Sequence, residues 1–310
     1  MGDAKLFRFA PIPVVELKPS SIAVEKSLQK LIEAHLETFL GVRFLATEFV
    51  TSKAHGGRID TVGIDENSSP VIIEYKRSLN ENVINQGLFY LDWLLDHKSD
   101  FKFLVLESFG LSEANSIDWS SPRLLCIAGD FTRYDEHAVN QMGRNIELIR
   151  YRQYGEEYLL LELLNAPAGT QNPLTGVAGT GKNAGQESKK AAERSVSDKI
   201  AQSSQNLQDR FFALESFALA LGDDVQRKEL QNYIAYRRLK NFACIEVFPT
   251  LERITVYLKA DFSRVELEEG FTRDVRNIGH YGTGDLEVSI RSDQDLERAK
   301  PMILESYNMS

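Results

Sequence analysis

Apolar and polar positions alternate with two different periods along the first half of the chain. Between Ser20 and Gly41 the apolar residues recur at helical spacing, which predicts an amphipathic helix capped by Ser20 and ended by Gly41. Helical spacing returns at 81–97 and 135–145. Around these segments lie apolar runs typical of strands, at 44–50, 58–65, 71–77, 101–107, 124–131, 147–154 and 158–164. Strands that alternate with helices indicate a mixed α/β sheet, complete near Leu164.

The composition changes abruptly after the last of these runs. Residues 166–206 begin with a stretch rich in Gly, Ala, Asn, Ser and Thr and nearly free of large apolar side chains, which predicts a flexible linker. Beyond it the pattern predicts an amphipathic helix at 207–222, three strand-like runs and a closing helix at about 293–307. The sequence therefore predicts two domains, a larger mixed α/β domain at 1–165 and a smaller α+β domain at 207–310.

Composition and charge narrow the class of protein. The 310 residues are 43% hydrophobic and 26% charged, which is ordinary for a globular protein, and the net charge of −9 argues against non-specific coating of nucleic acid without excluding a nuclease. No apolar run approaches the roughly 20 residues of a membrane-spanning helix, and the N-terminus lacks the pattern of a signal peptide. Cys126 and Cys244 lie in apolar runs, as buried free thiols do. We therefore expect a cytoplasmic protein without a membrane partner.

Three charged residues interrupt the most apolar part of the first domain. Asp60 lies near the start of the run 58–65, and Glu74 and Lys76 lie in the next run along the chain. Because residues two apart in a strand share a face, Glu74 and Lys76 project together. Asp60 joins them on that face if the hairpin register is centred near Asn67 or contains a bulge. The sequence therefore predicts that two carboxylates and one ammonium group converge.

Two carboxylates beside a lysine are suited to metal-assisted hydrolysis. Carboxylate oxygens bind Mg²⁺, for which Mn²⁺ is a substitute, together with water and a substrate phosphate. The metal polarises a phosphoryl oxygen and lowers the pKa of a bound water, while the lysine holds that water and stabilises negative charge. The alternative is that these residues are solvated charges on an exposed strand face. The apolar context of the run 71–77 favours catalysis, because burying charge is costly without a metal or a partner.

The motif resembles a known nuclease superfamily. The sequence R-I-D at 58–60, I-I-E-Y-K-R at 72–77 and Q-G-L-F-Y at 86–90 is similar to PD-(D/E)XK nucleases, in particular to the catalytic domain of NucS-type mismatch endonucleases. The resemblance covers about residues 20–165 and implies a restriction-endonuclease-like fold. It also implies that the metal is bound by Asp60, Glu74 and the backbone carbonyl of Tyr75, and that Lys76 positions the water.

The same resemblance implies residues that support the metal site. A Q-x-x-x-Y pair on the following helix has this role in the family, which implies Gln86 and Tyr90 here. The superfamily also uses an acidic residue on the preceding helix, and we favour Glu37 over Glu33 because it lies nearer the turn into the sheet. By spacing alone, Gln86 and Tyr90 are equally compatible with a buried structural pair on one helix face.

Basic residues close to the motif are the candidate contacts to substrate. Arg58, Arg77 and His55 lie within a few residues of the charged set, and Arg58 together with Glu48 could also orient it. DNA is the expected partner, and cutting both strands of a duplex would favour a homodimer. For His55 the alternative is an ordinary loop histidine without a specific role.

The second domain carries its own candidate residues. Residues 270–286 resemble a bacterial and archaeal domain of unknown function whose proteins are sometimes labelled predicted transport proteins. Its Gly-rich turn presents His280 and Tyr281, which are suited to base stacking or phosphate contact. Arg237, Arg238 and Lys240 lie among aromatic residues, a mixture expected of a nucleic-acid surface. The alternatives are a shaped loop and an ordinary solvated strand edge.

These observations lead to one principal hypothesis and two alternatives. The sequence predicts a Mg²⁺-dependent DNA endonuclease that hydrolyses phosphodiester bonds in repair or in defence against foreign DNA. The first alternative is a catalytically inactive member of the same fold that binds nucleic acid or protein, and the second is a scaffold in a larger assembly. The complete set of Asp60, Glu74 and Lys76 favours the enzyme, because an inactive protein has no chemical need for all three.

Overall fold

The computed structural model describes residues 5–9, 13–20, 25–51, 56–76, 83–165 and 195–310. They belong to two compact units, Met1–Pro167 and Ala168–Ser310, each built on a six-stranded sheet. The expected fold, a mixed α/β core followed by a smaller α+β unit, is confirmed. Most of the predicted linker, residues 166–194, lies outside the described ranges. In the part of the chain that the structure describes, no helix has the length and apolar character needed to cross a membrane.

The first unit places its strands and helices in an alternating order. In chain order they are β1 (Leu6–Arg8), β2 (Val15–Leu17), α1 (Glu25–Ala34), α2 (Leu36–Leu40), β3 (Val42–Val50), β4 (Arg58–Asp65), β5 (Pro70–Lys76), α3 (Val83–Asp96), α4 (Lys98–Phe109), α5 (Leu111–Asn115), β6 (Arg123–Ala128), α6 (Arg133–Gln141), β7 (Ile146–Tyr154) and β8 (Tyr158–Leu163). β1 and β2 form a separate hairpin. The other strands form the main sheet in the order β3-β4-β5-β6-β7-β8.

The main sheet is antiparallel at both ends and parallel in the middle. β3, β4 and β5 pair antiparallel, β5, β6 and β7 pair parallel, and β8 returns antiparallel to β7. The two parallel steps need crossover connections, which α3–α5 and α6 provide. β5 and β6 are buried along nearly their whole length, which explains their continuous apolar runs. The strand that carries Glu74 and Lys76 is therefore a central strand.

The run 101–107 is a helix and not the strand that the sequence predicted. It lies within α4, where Phe101 and Val105, four residues apart, supply the buried face. Phe103 and Leu106 on the other side of the helix are exposed. Because apolar residues lie on all sides of this helix, the sequence shows no clear helical spacing. A short apolar run of this kind is therefore compatible with either a helix or a strand.

The predicted first helix is correct at its end, and its predicted start lies outside the described residues. Gly41 ends α2 in the left-handed conformation, with φ of 62°, as glycine at this position allows. Ser20 forms a β-bridge with Gln153, and the described part of the helix begins at Glu25, with residues 21–24 outside the described ranges. The helical segment is also divided into α1 and α2, with His35 between them.

The second unit is an antiparallel sheet with helices on one face. Its elements are α7 (Val196–Ala201), α8 (Gln205–Leu219), β9 (Gln226–Glu229), β10 (Ile234–Arg237), β11 (Asn241–Phe248), a 3₁₀ turn (Pro249–Leu251), β12 (Arg253–Leu258), β13 (Thr272–Asp274), β14 (Leu286–Ile290) and α9 (Asp293–Asn308). The sheet order is β13-β14-β12-β11-β10-β9. The apolar residues of one face pack with the three helices in a single core. The opposite face, which carries none of the helices described in residues 195–310, has a small separate cluster around Cys244 and Tyr257.

The predicted linker extends too far toward the C-terminus. α7 lies inside the interval 166–206, and Ser195 caps it through a reciprocal pair of hydrogen bonds with Asp198. Val196 and Ile200 are buried in the core of the second unit. The core of the second unit therefore includes α7, which lies before the predicted boundary at residue 207. A helix of 6 residues is difficult to recognise in a sequence when it follows a Gly- and Ala-rich stretch.

Candidate active site

The antiparallel pair β4–β5 sets the geometry of the candidate site. Thr61 pairs with Ile73, so the hairpin is centred on Asn67. This confirms the register predicted from the sequence. It brings Asp60 opposite Glu74 on one face of the sheet, where side chains of directly opposed residues are neighbours.

The backbone ladder between these strands ends at Asp60. The Asp60 N–H donates to Glu74 Oε1 at 3.2 Å, and the Tyr75 N–H donates to Asp60 Oδ2 at 3.0 Å. Side-chain carboxylates here accept bonds that a backbone carbonyl accepts elsewhere in the ladder. Because the N–H and C=O of one strand residue face the same neighbouring strand, the Tyr75 carbonyl also faces β4 beside Asp60. The three groups implied as metal ligands therefore lie together.

Glu74 is a buried carboxyl group that the protein satisfies only in part. Its exposed fraction is 0%, and within the described residues its Oε2 has no hydrogen-bond partner. Burial and the neighbouring charge of Asp60 raise the pKa of Glu74 to about 9, and burial also raises the pKa of Asp60. A bound cation would offset the burial of charge and the repulsion between the two carboxylates.

The donor set fits Mg²⁺. Two carboxylates and a backbone carbonyl are hard oxygen ligands, and Mg²⁺ is commonly held by one or two carboxylates with water and substrate phosphate in the other positions. Over the described ranges, no cluster of three or more His, Cys, Asp or Glu residues is suited to a metal.

Lys76 brings a positive charge to the same place. Its ammonium group lies 3.7 Å from Glu25 Oε1 at the start of α1, and most of its side chain is buried. The charge of Lys76 lowers the pKa of both Asp60 and Glu74, and Lys76 shares the face of β5 with Glu74. The structure thus brings together the three charged residues that the sequence singled out.

Helix α1 lies against the site and contributes residues that the sequence analysis missed. The buried side chain of Gln29 donates from Nε2 to the Asp60 carbonyl at 2.7 Å, and also to Glu33 and Thr47. Lys26 donates to Gln29 Oε1 at 3.2 Å. The signal was present in the sequence, because the polar residues 26, 29 and 33 fall on one stripe of an otherwise amphipathic helix.

Glu37, the acidic residue favoured on this helix, is not at the site. It is exposed in α2, at the end of the helical segment that leads into β3. β3 begins at Val42, which pairs with Asp65, five residues from Asp60 along β4 and so about 16 Å away. The turn into the sheet therefore lies at the end remote from Asp60. Glu33, the rejected alternative, lies nearer and accepts a hydrogen bond from the Thr61 hydroxyl at 2.6 Å.

Tyr90 and Gln86 support the start of β4. The Tyr90 hydroxyl accepts a hydrogen bond from the Arg58 N–H at 3.1 Å and another from Gln86 Nε2 at 3.3 Å. The Tyr90 ring lies so close to Gly57 that a Cβ there would approach Tyr90 Cε1 to 2.4 Å. Glycine is therefore required at 57, and the pair fixes the backbone two residues before Asp60.

Of the three basic residues near the motif, the structure describes Arg58. Arg58 is exposed and forms an ion pair with Glu48, which also pairs with Lys26. This chain of charges borders the Asp60 side of the site. His55 and Arg77 lie outside the described residues.

A second buried charge cluster was not predicted. Arg123 at the start of β6 donates to Glu147 at 2.7 and 2.9 Å and to Asp65 at 3.1 Å, and all three side chains are at most 1% exposed. Burial opposes the charge of Arg123, but Glu147 and Asp65 raise its pKa. Glu147 interrupts an apolar run, the same signal that drew attention to Glu74, whereas Asp65 and Arg123 lie at the ends of their runs.

The expected basic surface of the second unit is not formed as predicted. Arg237 is buried, and its guanidinium donates to the carbonyls of Arg238 and Leu239 at 3.3 and 2.9 Å. Arg238 donates to Asp224 at 2.7 Å and lies over the Tyr307 ring. Arg237 is therefore bound to the β10–β11 turn, and Arg238 is bound to Asp224 and Tyr307 beside it. Lys240 lies half-buried in the same turn.

The two aromatic candidates of the Gly-rich turn lie at the helix-free face of the second sheet. His280 stacks on Tyr257 with ring centroids 4.2 Å apart and an interplanar angle of 9°. Tyr281 is exposed. Gly282 packs against Cys244, where a Cβ would come within 2.5 Å of the cysteine Cβ. The turn is therefore held against the sheet.

Similarity to solved structures is confined to part of the chain. A repair endonuclease from Pyrococcus abyssi is 19% identical with a TM-score of 0.28, over 44% of this chain and 51% of that one. A complex titled EndoMS-dsDNA2 is 18% identical with a TM-score of 0.24, over 42% of this chain and 47% of that one. The chain thus spans about half the length of these proteins.

Similarity to a known sequence covers both units. An uncharacterized protein of Haemophilus influenzae is 27% identical over 301 residues, which are 96% of this chain and 98% of that protein. For the second unit alone, residues 196–310 match the profile of a family described as a domain of unknown function, DUF5655. No transport activity is indicated by these similarities.

Proposed function

We propose that the first unit is a Mg²⁺-dependent nuclease that hydrolyses phosphodiester bonds of DNA. The observation that carries the proposal is the buried Glu74, whose Oε2 lacks a partner in the described part of the chain, directly beside Asp60 and Lys76. A carboxylate pair of this kind is unstable in its charged form unless a cation joins it. The similarity of the motif to PD-(D/E)XK nucleases adds the expectation that the cation serves phosphodiester hydrolysis.

The side chains of the site have separate roles in this proposal. Asp60, Glu74 and the Tyr75 carbonyl hold the ion, which, when bound, neutralises the carboxylates and polarises the scissile phosphate. Lys76 donates a hydrogen bond to the attacking water and stabilises the negative charge that develops on the phosphate. Gln29 fixes the Asp60 backbone, and Tyr90 with Gln86 fixes the start of β4.

Charged groups at the edge of the site are suited to the DNA backbone. Arg58 is exposed beside the carboxylates, and its ion pair with Glu48 can be exchanged for a phosphate contact. Phosphate contacts of this kind position a substrate without reading its sequence. We therefore propose DNA as the substrate class and assign no sequence or structural preference.

A cleavage assay with the full chain tests the proposal. Duplex, single-stranded, branched and mismatched DNA are incubated with wild type, Glu74→Gln and Glu107→Gln in Mg²⁺, Mn²⁺ or EDTA. Glu107 is an exposed glutamate on α4 and serves as the matched control. We expect wild type and Glu107→Gln to cut in either metal, EDTA to abolish cutting, and Glu74→Gln to be inactive.

Two results would contradict the proposal. Cleavage that persists in Glu74→Gln would mean that another site or a contaminant is responsible. Absence of cleavage on every substrate, from folded wild-type protein with either metal, would favour the alternative of an inactive fold member that binds nucleic acid or protein.

A further inference from the structure

The helix-free face of the second sheet carries a row of polar side chains that the proposed nuclease does not use. Glu246 on β11 pairs with Thr255 on β12, and Thr255 pairs with Ser289 on β14. In the adjacent row, Tyr257 pairs with Glu287. Directly paired residues have neighbouring side chains on one face, so these five groups form a continuous polar patch, which we call the open-face cluster.

The two glutamates of the open-face cluster are compensated differently. Glu287 forms an ion pair with Arg273 of the neighbouring strand β13. Glu246 forms a hydrogen bond with the Tyr257 hydroxyl, and the nearby charges of Lys199 and His280 lower its pKa, but over residues 195–310 Glu246 forms no ion pair. Burial raises the pKa of Glu246, so its charge is not fully stabilised by the protein. One carboxylate on this face thus has a guanidinium partner, and the other does not.

Thr255 supplies a second, independent sign of an absent partner. It is 1% exposed, and its hydroxyl has no hydrogen-bond partner in residues 195–310. A buried hydroxyl without a partner costs free energy, which a bound ligand group would recover. Because Thr255 is the direct cross-strand neighbour of Glu246, both side chains lie next to each other on the same face of the sheet.

Aromatic rings border these two side chains. Tyr257 lies in the adjacent row and carries the stacked ring of His280. Glu246 and Glu287 are largely buried and keep 7–8% of their surface exposed. Two acidic side chains disfavour a phosphate here, and they favour a planar cation that donates several N–H groups.

We propose that the open-face cluster binds a guanidinium group, with Glu246 and Thr255 accepting its N–H donors and the Tyr257–His280 pair forming the aromatic border. The Arg273–Glu287 ion pair shows the same chemistry on the same face. The site belongs to the second unit and does not depend on the proposed nuclease function. The guanidinium group can come from a free small molecule or from an arginine side chain.

Calorimetric titration of the full chain tests this proposal. The probes are ethylguanidine, ethylamine and ethylurea, which separate a planar cation from a tetrahedral cation and from a neutral planar group. We expect saturable binding of ethylguanidine that is about tenfold or more tighter than binding of the other two. Acetyl-Gly-Arg-Gly-amide distinguishes the sources, because tighter binding of the peptide than of ethylguanidine identifies an arginine side chain and equal binding identifies a free guanidine.

Three variants connect the binding to the cluster. Glu246→Gln is expected to weaken ethylguanidine binding at least about tenfold, through loss of a charge-assisted bond. Thr255→Val removes the unpartnered hydroxyl, so it is expected to weaken binding without lowering the unfolding temperature. Glu305→Gln alters an exposed glutamate of α9 and is expected to bind as wild type.

Three results would overturn the proposal. The first is no saturable binding of ethylguanidine or of the peptide by folded wild type. The second is wild-type affinity in both Glu246→Gln and Thr255→Val, and the third is ethylurea binding as tightly as ethylguanidine. The Thr255→Val protein keeps the test decisive if Glu246→Gln fails to fold.

Discussion

Two clusters of buried charge lie on the same sheet of the first unit, and they are built differently. In one, Arg123 donates hydrogen bonds to Asp65 and Glu147, so two carboxylates share one guanidinium in three bonds of 2.7–3.1 Å. In the other, Asp60 and Glu74 lie side by side, and Glu74 Oε2 has no partner within the described ranges. The first cluster is complete in the folded chain, whereas the second would be completed by the cation that we propose.

The comparison shows that burial of charge does not by itself mark a functional site. Asp65 Oδ1 also accepts the N–H groups of Asn67 and Ser69, both at 2.9 Å, so the complete cluster fixes the β4–β5 turn. That turn sets the register which brings Asp60 to Glu74. The satisfied cluster therefore has a structural role, and it positions the unsatisfied one.

Arg123→Met is expected to have the largest effect, and on stability. It leaves Asp65 and Glu147 buried without their partner, which costs about 3–5 kcal/mol of unfolding free energy. Urea denaturation of the full chain measures it, with exposed Arg144→Met as control, expected within about 0.5 kcal/mol of wild type. An Arg123→Met protein as stable as wild type would show that the complete cluster is not structural.

Lys76→Met is expected to affect catalysis and not stability. It keeps the aliphatic stem but removes the ammonium group, so the cleavage rate should fall by about 10²–10³-fold while the unfolding temperature changes little. Single-turnover cleavage measures the rate, and Lys102→Met on α4, an exposed lysine, should cut as wild type. Loss of stability in Lys76→Met comparable with that of Arg123→Met would place Lys76 among the structural charges.

The metal-free protein is expected to lose stability as the pH rises. Glu74 has a folded-state pKa of about 9 against an ordinary value of 4.5, so the folded state keeps a proton that the unfolded state releases. Between these values the unfolding free energy falls by about 1.4 kcal/mol per pH unit for that group. Denaturation in EDTA at several pH values should show this slope in wild type and Glu107→Gln and a smaller one in Glu74→Gln. Equal slopes in all three proteins would mean that Glu74 is not held in its protonated form.

Tyr90→Phe is expected to have the smallest effect. It removes the hydroxyl that accepts from the Arg58 N–H, which costs about 1 kcal/mol and lowers kcat/KM severalfold through a less fixed Asp60. Tyr134→Phe, at an exposed position on α6, is the control. A loss of more than about 100-fold without loss of stability would mean that Tyr90 touches the reacting groups.

The sequence predicts the hairpin and its three charged residues well because local rules determine both. Period-two alternation assigns Glu74 and Lys76 to one face of β5, and the register centred on Asn67, which the sequence analysis named beside the alternative of a bulge, brings Asp60 opposite Glu74. The same rules explain why VIIEYK is a central strand, since its apolar run is continuous.

Residues whose placement depends on tertiary packing were predicted less well. Glu37 was favoured from its nearness to a turn, although the turn lies at the far end of β3 from the site. Arg237 has the basic and aromatic neighbours of a nucleic-acid surface, yet its guanidinium is used by the adjacent turn. Gln29 and Arg123 were missed because their partners come from distant segments. Sequence spacing alone does not give such contacts.

Titration of Mn²⁺ into the metal-free full chain, followed by calorimetry, tests most directly whether the two clusters differ as described. The incomplete cluster should bind the ion in wild type and in Glu107→Gln, and Glu74→Gln should bind at least about tenfold more weakly, since one of two carboxylate ligands is lost. Wild-type protein that is folded and binds no ion, or Glu74→Gln that binds as tightly as wild type, would contradict the account.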